Sequence, residues 1–164
     1  MDAKTKKLKS SDGQVESVDI KLLDKSKLLK GLVEDYQGDE DEIPLNEVDH
    51  KNLKFILEYL EYYKDKEPKD IPKPYPEEVN EEFFKTIIDD EWTFNFLQKL
   101  KLDECISLVN AANYLQIDGL INLLAAKLAY EMSNCSVEEA KQKFQIEDDM
   151  SEEEKAEYDK YPLD

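Results

Sequence analysis

The sequence predicts an α/β domain in which a small N-terminal sheet of three strands packs on helices, and three patterns indicate this. Asp12-Gly13 is a type I′ turn signal between short apolar arms, so the segment 6–19 is predicted to form a β-hairpin. A third short strand is predicted over 43–48. The remaining chain is dominated by helical patterns, among which the segment 120–132 is apolar on almost every side and should be buried.

Two helices are predicted between the hairpin and the middle of the chain. Apolar residues from about Lys21 to Asp35 indicate the first helix, which the acidic loop 37–42 ends. The second is capped by Asp49 and runs to Tyr63. Its apolar stripe, which is predicted to face the core, has the spacing i, i+3, i+4 and i+7 and consists of Leu53, Ile56, Leu57 and Leu60.

The segment from about 64 to 91 is predicted to be an insertion within the domain. Its charged residues are interrupted by prolines, namely Pro68, Pro72, Pro74 and Pro76. Such a composition buries too little surface to offset the entropy of ordering, so this insertion is expected to be partly extended and mobile. A short helical turn is expected over 82–88.

The second half of the chain is predicted to be helical. The predicted helices span 92–100, 103–115 and 120–132. Asp118-Gly119 is expected to end the second of them, because glycine readily takes the positive φ found at helix C-termini. Two capping boxes predict two further short helices, the second strongly acidic, and they read Ser136-x-x-Glu139 and Ser151-x-x-Glu154.

The charge of the chain restricts its partners. With 40 Asp and Glu residues against 22 Lys and Arg residues, the net charge is −18, which repels phosphate backbones and anionic lipid head groups. No apolar run approaches the roughly 18 residues that span a bilayer, and the first residues lack the apolar core of a secretory signal. We therefore expect no nucleic acid or membrane partner and a cytoplasmic and nuclear location.

No pattern in the sequence points to catalysis or metal binding. Cys105 and Cys135 are far apart and are expected to be reduced thiols, and His50 is expected to face solvent in the first turn of its helix. These three residues form neither a C-x-x-C pair nor a His pair at i, i+4, and the acids do not follow the order of a calcium loop. We expect no enzyme activity, no cofactor and no metal site.

The segment 111–120 resembles the A-A-N-Y-L-x-I-x-G-L signature of the Skp (S-phase kinase-associated) family. Five further groups of residues follow that family's signatures in order: Ser10-Ser11-Asp12-Gly13 with Val18-Asp19, Glu34-Asp35, Ile43-Pro44-Leu45 with Val48, Trp92 with Phe96-Leu97, and Glu138-Glu139 through Phe144 and Ile146. The resemblance therefore spans nearly the whole chain.

The resemblance implies a BTB/POZ-like fold, close to that of elongin C, and an adaptor that bridges a cullin and F-box substrate receptors in an SCF-type ubiquitin ligase. The domain would span 4–132, and 133–164 would be a C-terminal acidic helical extension for F-box binding. The resemblance assigns cullin contact to Asn113 and Tyr114. It assigns the surface that binds the F-box receptor to Leu120, Leu124, Leu128, Phe144 and Ile146.

Other interpretations of these residues stay open. Without the resemblance, Asn113 would cap a helix end, Tyr114 would pack its ring in the core, and the helix 120–132 would be ordinary core. For the whole chain, the alternative is a divergent BTB-fold scaffold that self-associates or serves a kinetochore or elongin-like complex. A homodimer is also left open for the chain without its partners.

The chain departs from the family pattern in two places that matter here. Glu16 stands where the family usually has an aromatic residue in the second strand, which puts the burial of that strand in question. The family's Trp-containing final helix has no counterpart around 160–164, and weaker receptor binding is expected in consequence.

Overall fold

The computed structural model of this chain describes residues 5–36, 42–71, 73, 75, 79–88, 90–147, 151–158 and 160. The chain divides into two compact units, Met1–Asn134 and Cys135–Asp164. The larger unit holds the sheet and most of the helices. Among the described residues, none of the helices combines the length and the apolar character needed to cross a bilayer.

The predicted three-stranded sheet is confirmed at the N-terminus. Strands β1 (Thr5–Ser10) and β2 (Val15–Asp19) are antiparallel, and β3 (Glu42–Leu45) runs parallel to β1, so the strand order is β2-β1-β3. Leu8 of β1 lies opposite Ile43 of β3, and both side chains are completely buried. One face of the sheet therefore lies against the core.

The hairpin turn between β1 and β2 differs from the predicted type I′ turn. A type I′ turn needs positive φ at both central residues, whereas here Gly13 alone takes a positive φ, of 85°. The Gly13 N–H donates to the Ser10 carbonyl over 2.9 Å, and the Ser10 hydroxyl donates to the Asp12 carboxylate. The turn is thus a longer loop in which Asp12 is fixed by its side chain and glycine supplies the left-handed residue.

The single helix predicted over 21–35 is two helices, α1 (Ile20–Leu23) and α2 (Lys27–Asp35). The break occurs at Ser26, whose hydroxyl accepts a hydrogen bond from the Leu29 N–H and caps α2. Asp49 caps the next helix as predicted, by accepting from the Asn52 N–H over 2.7 Å. The other helices of the larger unit are α3 (His50–Tyr63), α4 (Glu81–Ile87), α5 (Glu91–Lys99), α6 (Leu102–Tyr114) and α7 (Asp118–Ser133).

The core lies between the sheet and the helices α3, α6 and α7. Its completely buried side chains include Leu53, Ile56 and Leu60 of the predicted α3 stripe, while Leu57 is only half-buried. Each large aliphatic side chain removed from water in this way contributes roughly 1.5–3 kcal/mol to folding. These side chains fix α3 against α6 and α6 against α7.

The insertion 64–91 packs more than its composition predicts. Its described residues include four apolar side chains that are at most 5% exposed, namely Ile71, Val79, Phe84 and Ile87. Phe84 of α4 stacks on Tyr130 of α7 with ring centroids 4.7 Å apart. The expectation of a segment with little packed surface is therefore wrong for these residues, because apolar side chains between the charges reach α7.

The smaller unit contains α8 (Val137–Lys143) and α9 (Glu152–Tyr158). Both predicted capping boxes are present: Ser136 accepts from the Glu139 N–H and Ser151 from the Glu154 N–H. Among the residues of this unit whose side chains the structure describes, none is buried. Local capping thus forms these helices without a hydrophobic core of their own.

Candidate protein-binding site

The turn between α6 and α7 forms a corner, which we define as residues 113–118. Asn113, Gln116 and Asp118 are exposed, whereas Leu115 and Ile117 are buried. Helix α6 ends at Tyr114, and Gln116 takes the left-handed conformation with φ 54°. The Ile117 N–H donates to the Ala112 carbonyl over 3.0 Å and the Gln116 N–H to the Asn113 carbonyl over 3.1 Å. This pair of bonds is a Schellman motif, and it closes the helix end with backbone groups.

The corner differs from its prediction in one respect. Asp118 and Gly119 do not end α6, since both lie in the first turn of α7. The residue with positive φ is Gln116, at the position where glycine is most common. Gly119 has a different role: a Cβ atom there would lie 2.6 Å from the Tyr59 hydroxyl oxygen and 2.7 Å from Cγ of Pro68. Glycine at this position allows α3 and the insertion to approach α7.

The two residues predicted to contact a cullin lie together at the corner. Asn113 is exposed, and Tyr114 is half-buried with its ring against the core. The bonds that close the helix end are backbone to backbone, so the Asn113 side-chain amide is not used for them. Tyr114 offers the combination found at many interface anchors, an aromatic ring held by packing with one edge exposed.

Helix α2 holds the corner from the side. The buried Ser26 hydroxyl donates to the Leu115 carbonyl over 2.5 Å, and Lys27 pairs with Asp118 over 2.5 Å between Nζ and Oδ2. The hydroxyl satisfies a buried carbonyl at the end of α6, whose loss would cost about 1–3 kcal/mol. The end of α6 is therefore tied to α2 by a buried hydrogen bond within the chain itself.

The predicted receptor residues on α7 are not equivalent in the structure. Leu120 and Leu124 are completely buried in the core, so they present no surface, and the prediction of a docking role for them is not supported by their position. Leu128 is half-buried. The sequence could not show which apolar residues of α7 are buried and which are accessible, because the helix is apolar on almost every side and lacks a polar face to mark its orientation.

Several further apolar side chains of α6 and α7 that reach solvent were not predicted from the sequence. On α7 these include Ile121, Ala125 and Met132, the last of them 46% exposed. On α6, Ile106 is 36% exposed. On α7, Ile121, Ala125, Leu128 and Met132 follow the spacing i, i+4, i+7 and i+11, so they form an apolar row that a partner can reach without unfolding the domain.

In the smaller unit, the predicted receptor residues are accessible. Ile146 is 52% exposed and Phe144 is half-buried, while Val137 is 67% exposed. Gln145, between the two predicted residues, takes φ 53°, and the Ile146 N–H donates to the Lys141 carbonyl over 2.9 Å. The end of α8 is thus a second Schellman motif that projects Ile146 into solvent.

The sequence predicted that His50 faces solvent, but the structure shows a half-buried side chain in contact with Glu16. Its Nε2 lies 2.7 Å from Oε1 of Glu16, and its side chain is only 24% exposed. The pair links β2 to the first turn of α3. It also accounts for a charged residue where the family has an aromatic one, since Glu16 has a polar partner in a half-buried position.

The described residues contain no cluster of His, Cys, Asp and Glu that could hold a metal ion. Burial raises the pKa of the Cys105 thiol to about 11, which makes it a poor nucleophile at neutral pH. The structure shows no disulfide at Cys105 or Cys135.

Comparison with known proteins identifies two family segments in this chain. Residues 4–65 match the tetramerisation domain of the Skp1 family, and residues 118–160 match its dimerisation domain. The S-phase kinase-associated protein 1 homolog of Tetrahymena thermophila is 34% identical over 150 residues, covering 92% of this chain and 87% of that protein. The SKP1-like protein 18 of Arabidopsis thaliana is 31% identical, covering 92% and 89%.

A third relative bears a more specific name. It is the E3 ubiquitin ligase complex SCF subunit sconC of Arthroderma benhamiae, 30% identical over 147 residues, which cover 90% of this chain and 86% of that protein. Two matched segments and three relatives aligned along most of their length agree with the signatures in the sequence. This chain belongs to the Skp1 family.

Proposed function

We propose that this chain is the adaptor subunit of an SCF-type E3 ubiquitin ligase and bridges a cullin and F-box receptors without performing chemistry itself. Family membership and the relative named as an SCF subunit support this function. The corner around Asn113 and Tyr114 is the proposed cullin contact. The domain 4–132 would carry it, the extension 133–164 would bind receptors, and the complex would act in the cytoplasm and nucleus.

The observation that carries the receptor half of the proposal is the smaller unit. Its helices are capped, yet its apolar side chains Val137 and Ile146 are more than half exposed and none of its described side chains is buried. Helices of this length are marginal in water unless an apolar face is packed. A partner that covers Ile146 and Phe144 would supply the missing core, as expected for a segment that docks a short helical motif.

The same unit is acidic, and this favours basic receptor segments. Between positions 135 and 164, the sequence has eleven acidic residues and only four lysines. An acidic surface accelerates association with a basic partner, and this acceleration decreases as the salt concentration rises. The proposed receptor contact is therefore apolar at its centre and acidic at its rim.

Two sets of variants test the two contacts separately. Asn113→Lys with Tyr114→Lys places charge at the centre of the corner and should abolish cullin binding while receptor binding persists. Its matched control is Asn95→Lys with Gln98→Lys, at two exposed positions of α5 that receive the same charge. Equal cullin affinity of the corner variant and the control, measured by calorimetry, would overturn the proposed contact.

The receptor contact of the smaller unit is tested with Ile146→Asp and Val137→Asp, both at exposed positions where folding should be preserved. Both should weaken binding of an F-box peptide and leave cullin binding unchanged, because a charge must be desolvated when the motif docks. Circular dichroism verifies the fold of each variant first. Folded variants that bind the peptide as tightly as the parent would remove these residues from the site.

A self-associating scaffold is the second candidate function. The exposed apolar side chains proposed to bind a receptor could equally contact a second copy of the chain. The two matched family segments are described as a tetramerisation domain and a dimerisation domain. Sedimentation of the chain with and without an F-box peptide separates the two. An adaptor that dimerises alone should dissociate into monomers when the peptide binds, whereas a scaffold should stay associated with its second copy.

A further inference from the structure

Helix α2 presents two lysines beside the corner. Lys27 is the first residue of α2 and Lys30 follows three positions later, so the two side chains lie on the same face of the helix. Both are exposed, and 66% of the Lys27 side chain is accessible. The two lysines give this face of α2 a local positive charge in a chain of net charge −18.

This lysine face, Lys27 and Lys30, is held in a fixed position relative to the corner. The completely buried Ser26 hydroxyl accepts from the Leu29 N–H over 3.1 Å and donates to the Leu115 carbonyl over 2.5 Å. One side chain thereby caps α2 and ties it to the end of α6. The lysine face and the corner consequently form one continuous surface.

The Lys27 ammonium already has a partner at the surface, the carboxylate of Asp118. Because 63% of the Asp118 side chain is exposed, this ion pair contributes little to folding, typically about 0–1 kcal/mol. An incoming carboxylate can therefore share or replace Asp118 at small cost. Lys30, one turn further along α2, extends the positive charge away from the corner.

We infer that the lysine face extends the cullin contact beyond the corner and receives acidic side chains of the cullin. This inference rests on the proposed function, since it takes the corner as the cullin contact. Charge complementarity indicates the occupant: a protein segment with carboxylates fits the two lysines. A nucleic acid does not fit, because the charge of the whole chain repels its phosphates. Charges at the rim of an interface act mainly on the association rate and its salt dependence.

The test measures binding of the N-terminal domain of a cullin from the same organism by stopped flow at several salt concentrations. Lys27→Glu with Lys30→Glu should slow association about tenfold or more at low salt, and the difference should shrink as salt rises. Lys27→Gln with Lys30→Gln should have a smaller effect in the same direction. Circular dichroism and urea unfolding establish that each variant is folded.

Helix α3 provides a closely matched control. Lys51 is 63% exposed and pairs with Glu104, and Lys54 follows it by three residues at an exposed position, so the pair repeats the arrangement on α2. Lys51→Glu with Lys54→Glu changes the net charge equally. An association rate lowered equally by both double variants, or by neither, would overturn the inference while the proposed function stands, provided that the parent chain binds the cullin. A parent chain that binds no cullin would overturn both.

Discussion

Gly119→Ala should destabilise this protein, although the same change elsewhere in a helix stabilises one. Alanine is favoured over glycine in a helix interior by about 1 kcal/mol. At position 119, however, the new Cβ would meet the Tyr59 hydroxyl at 2.6 Å and Pro68 at 2.7 Å. Tyr59 is only 2% exposed and the proline ring is stiff, so neither can move aside without disturbing its neighbours. Overpacking of this kind typically costs about 1–3 kcal/mol.

Gly31→Ala is the matched control, because Gly31 lies in the middle of α2 and a Cβ added there would have no atom within 4 Å. It should stabilise the protein by about 0.8–1 kcal/mol. Gly119→Ala should instead reduce the free energy of unfolding by up to about 2 kcal/mol, because a steric cost of about 1–3 kcal/mol is offset by at most about 1 kcal/mol of helix propensity. For a chain of this size, 1 kcal/mol corresponds to roughly 2–4 °C in Tm.

Urea unfolding followed by circular dichroism, with the fluorescence of Trp92 as a second signal, measures both variants. Trp92 is suited to this because its ring stacks on Tyr62 and on Phe96, with centroids 3.8 Å and 5.1 Å apart. The two variants should shift the midpoint in opposite directions. If Gly119→Ala raised the midpoint as Gly31→Ala does, the close approach at the start of α7 would not exist, and the account of the corner would fail.

Three further outcomes are expected. Gln116→Gly should raise the free energy of unfolding by about 0.5–1 kcal/mol in a urea titration, because glycine relieves the left-handed strain, whereas Gln145→Gly in the smaller unit, where none of the described side chains is buried, should leave the midpoint unchanged. Deleting 66–76 should lower Tm by several degrees in a calorimetric scan, since the segment contains a buried apolar side chain; an unchanged Tm would show that this packing is dispensable. Cys135 should react with a thiol reagent at pH 8 in the native protein, while Cys105, with a pKa of about 11 and about one thiol in a thousand ionised, should react only on unfolding.

Much of the fold could be predicted from local sequence patterns. Asp49 and the two capping boxes each place an acceptor where a helix begins, and all three helices start there. The break at Ser26 was missed for a physical reason. The N-cap bond from the Leu29 N–H to the Ser26 hydroxyl is local, but serine also occurs inside helices, and only the tertiary bond to the Leu115 carbonyl fixes Ser26 at this break.

The candidate site was predictable only in part. The segment 111–120 located the corner, because its residues are unusual together at a helix end. The orientation of α7 could not be predicted, since its apolar residues surround the helix and only packing decides that Leu124 is buried while Met132 is exposed. Similarly, the four buried apolar residues of the insertion lie among charges and prolines, and nothing local shows that they are buried.

The central claim is that this chain joins a cullin to an F-box receptor, and sedimentation of the three proteins together tests it most directly. The cullin N-terminal domain and an F-box protein should sediment separately when mixed alone. Adding this chain should bring both into one species of 1:1:1 stoichiometry, and the chain with Asn113→Lys and Tyr114→Lys should retain the F-box protein and release the cullin. A chain that binds only one of the two proteins, or that sediments only with itself, would contradict the claim.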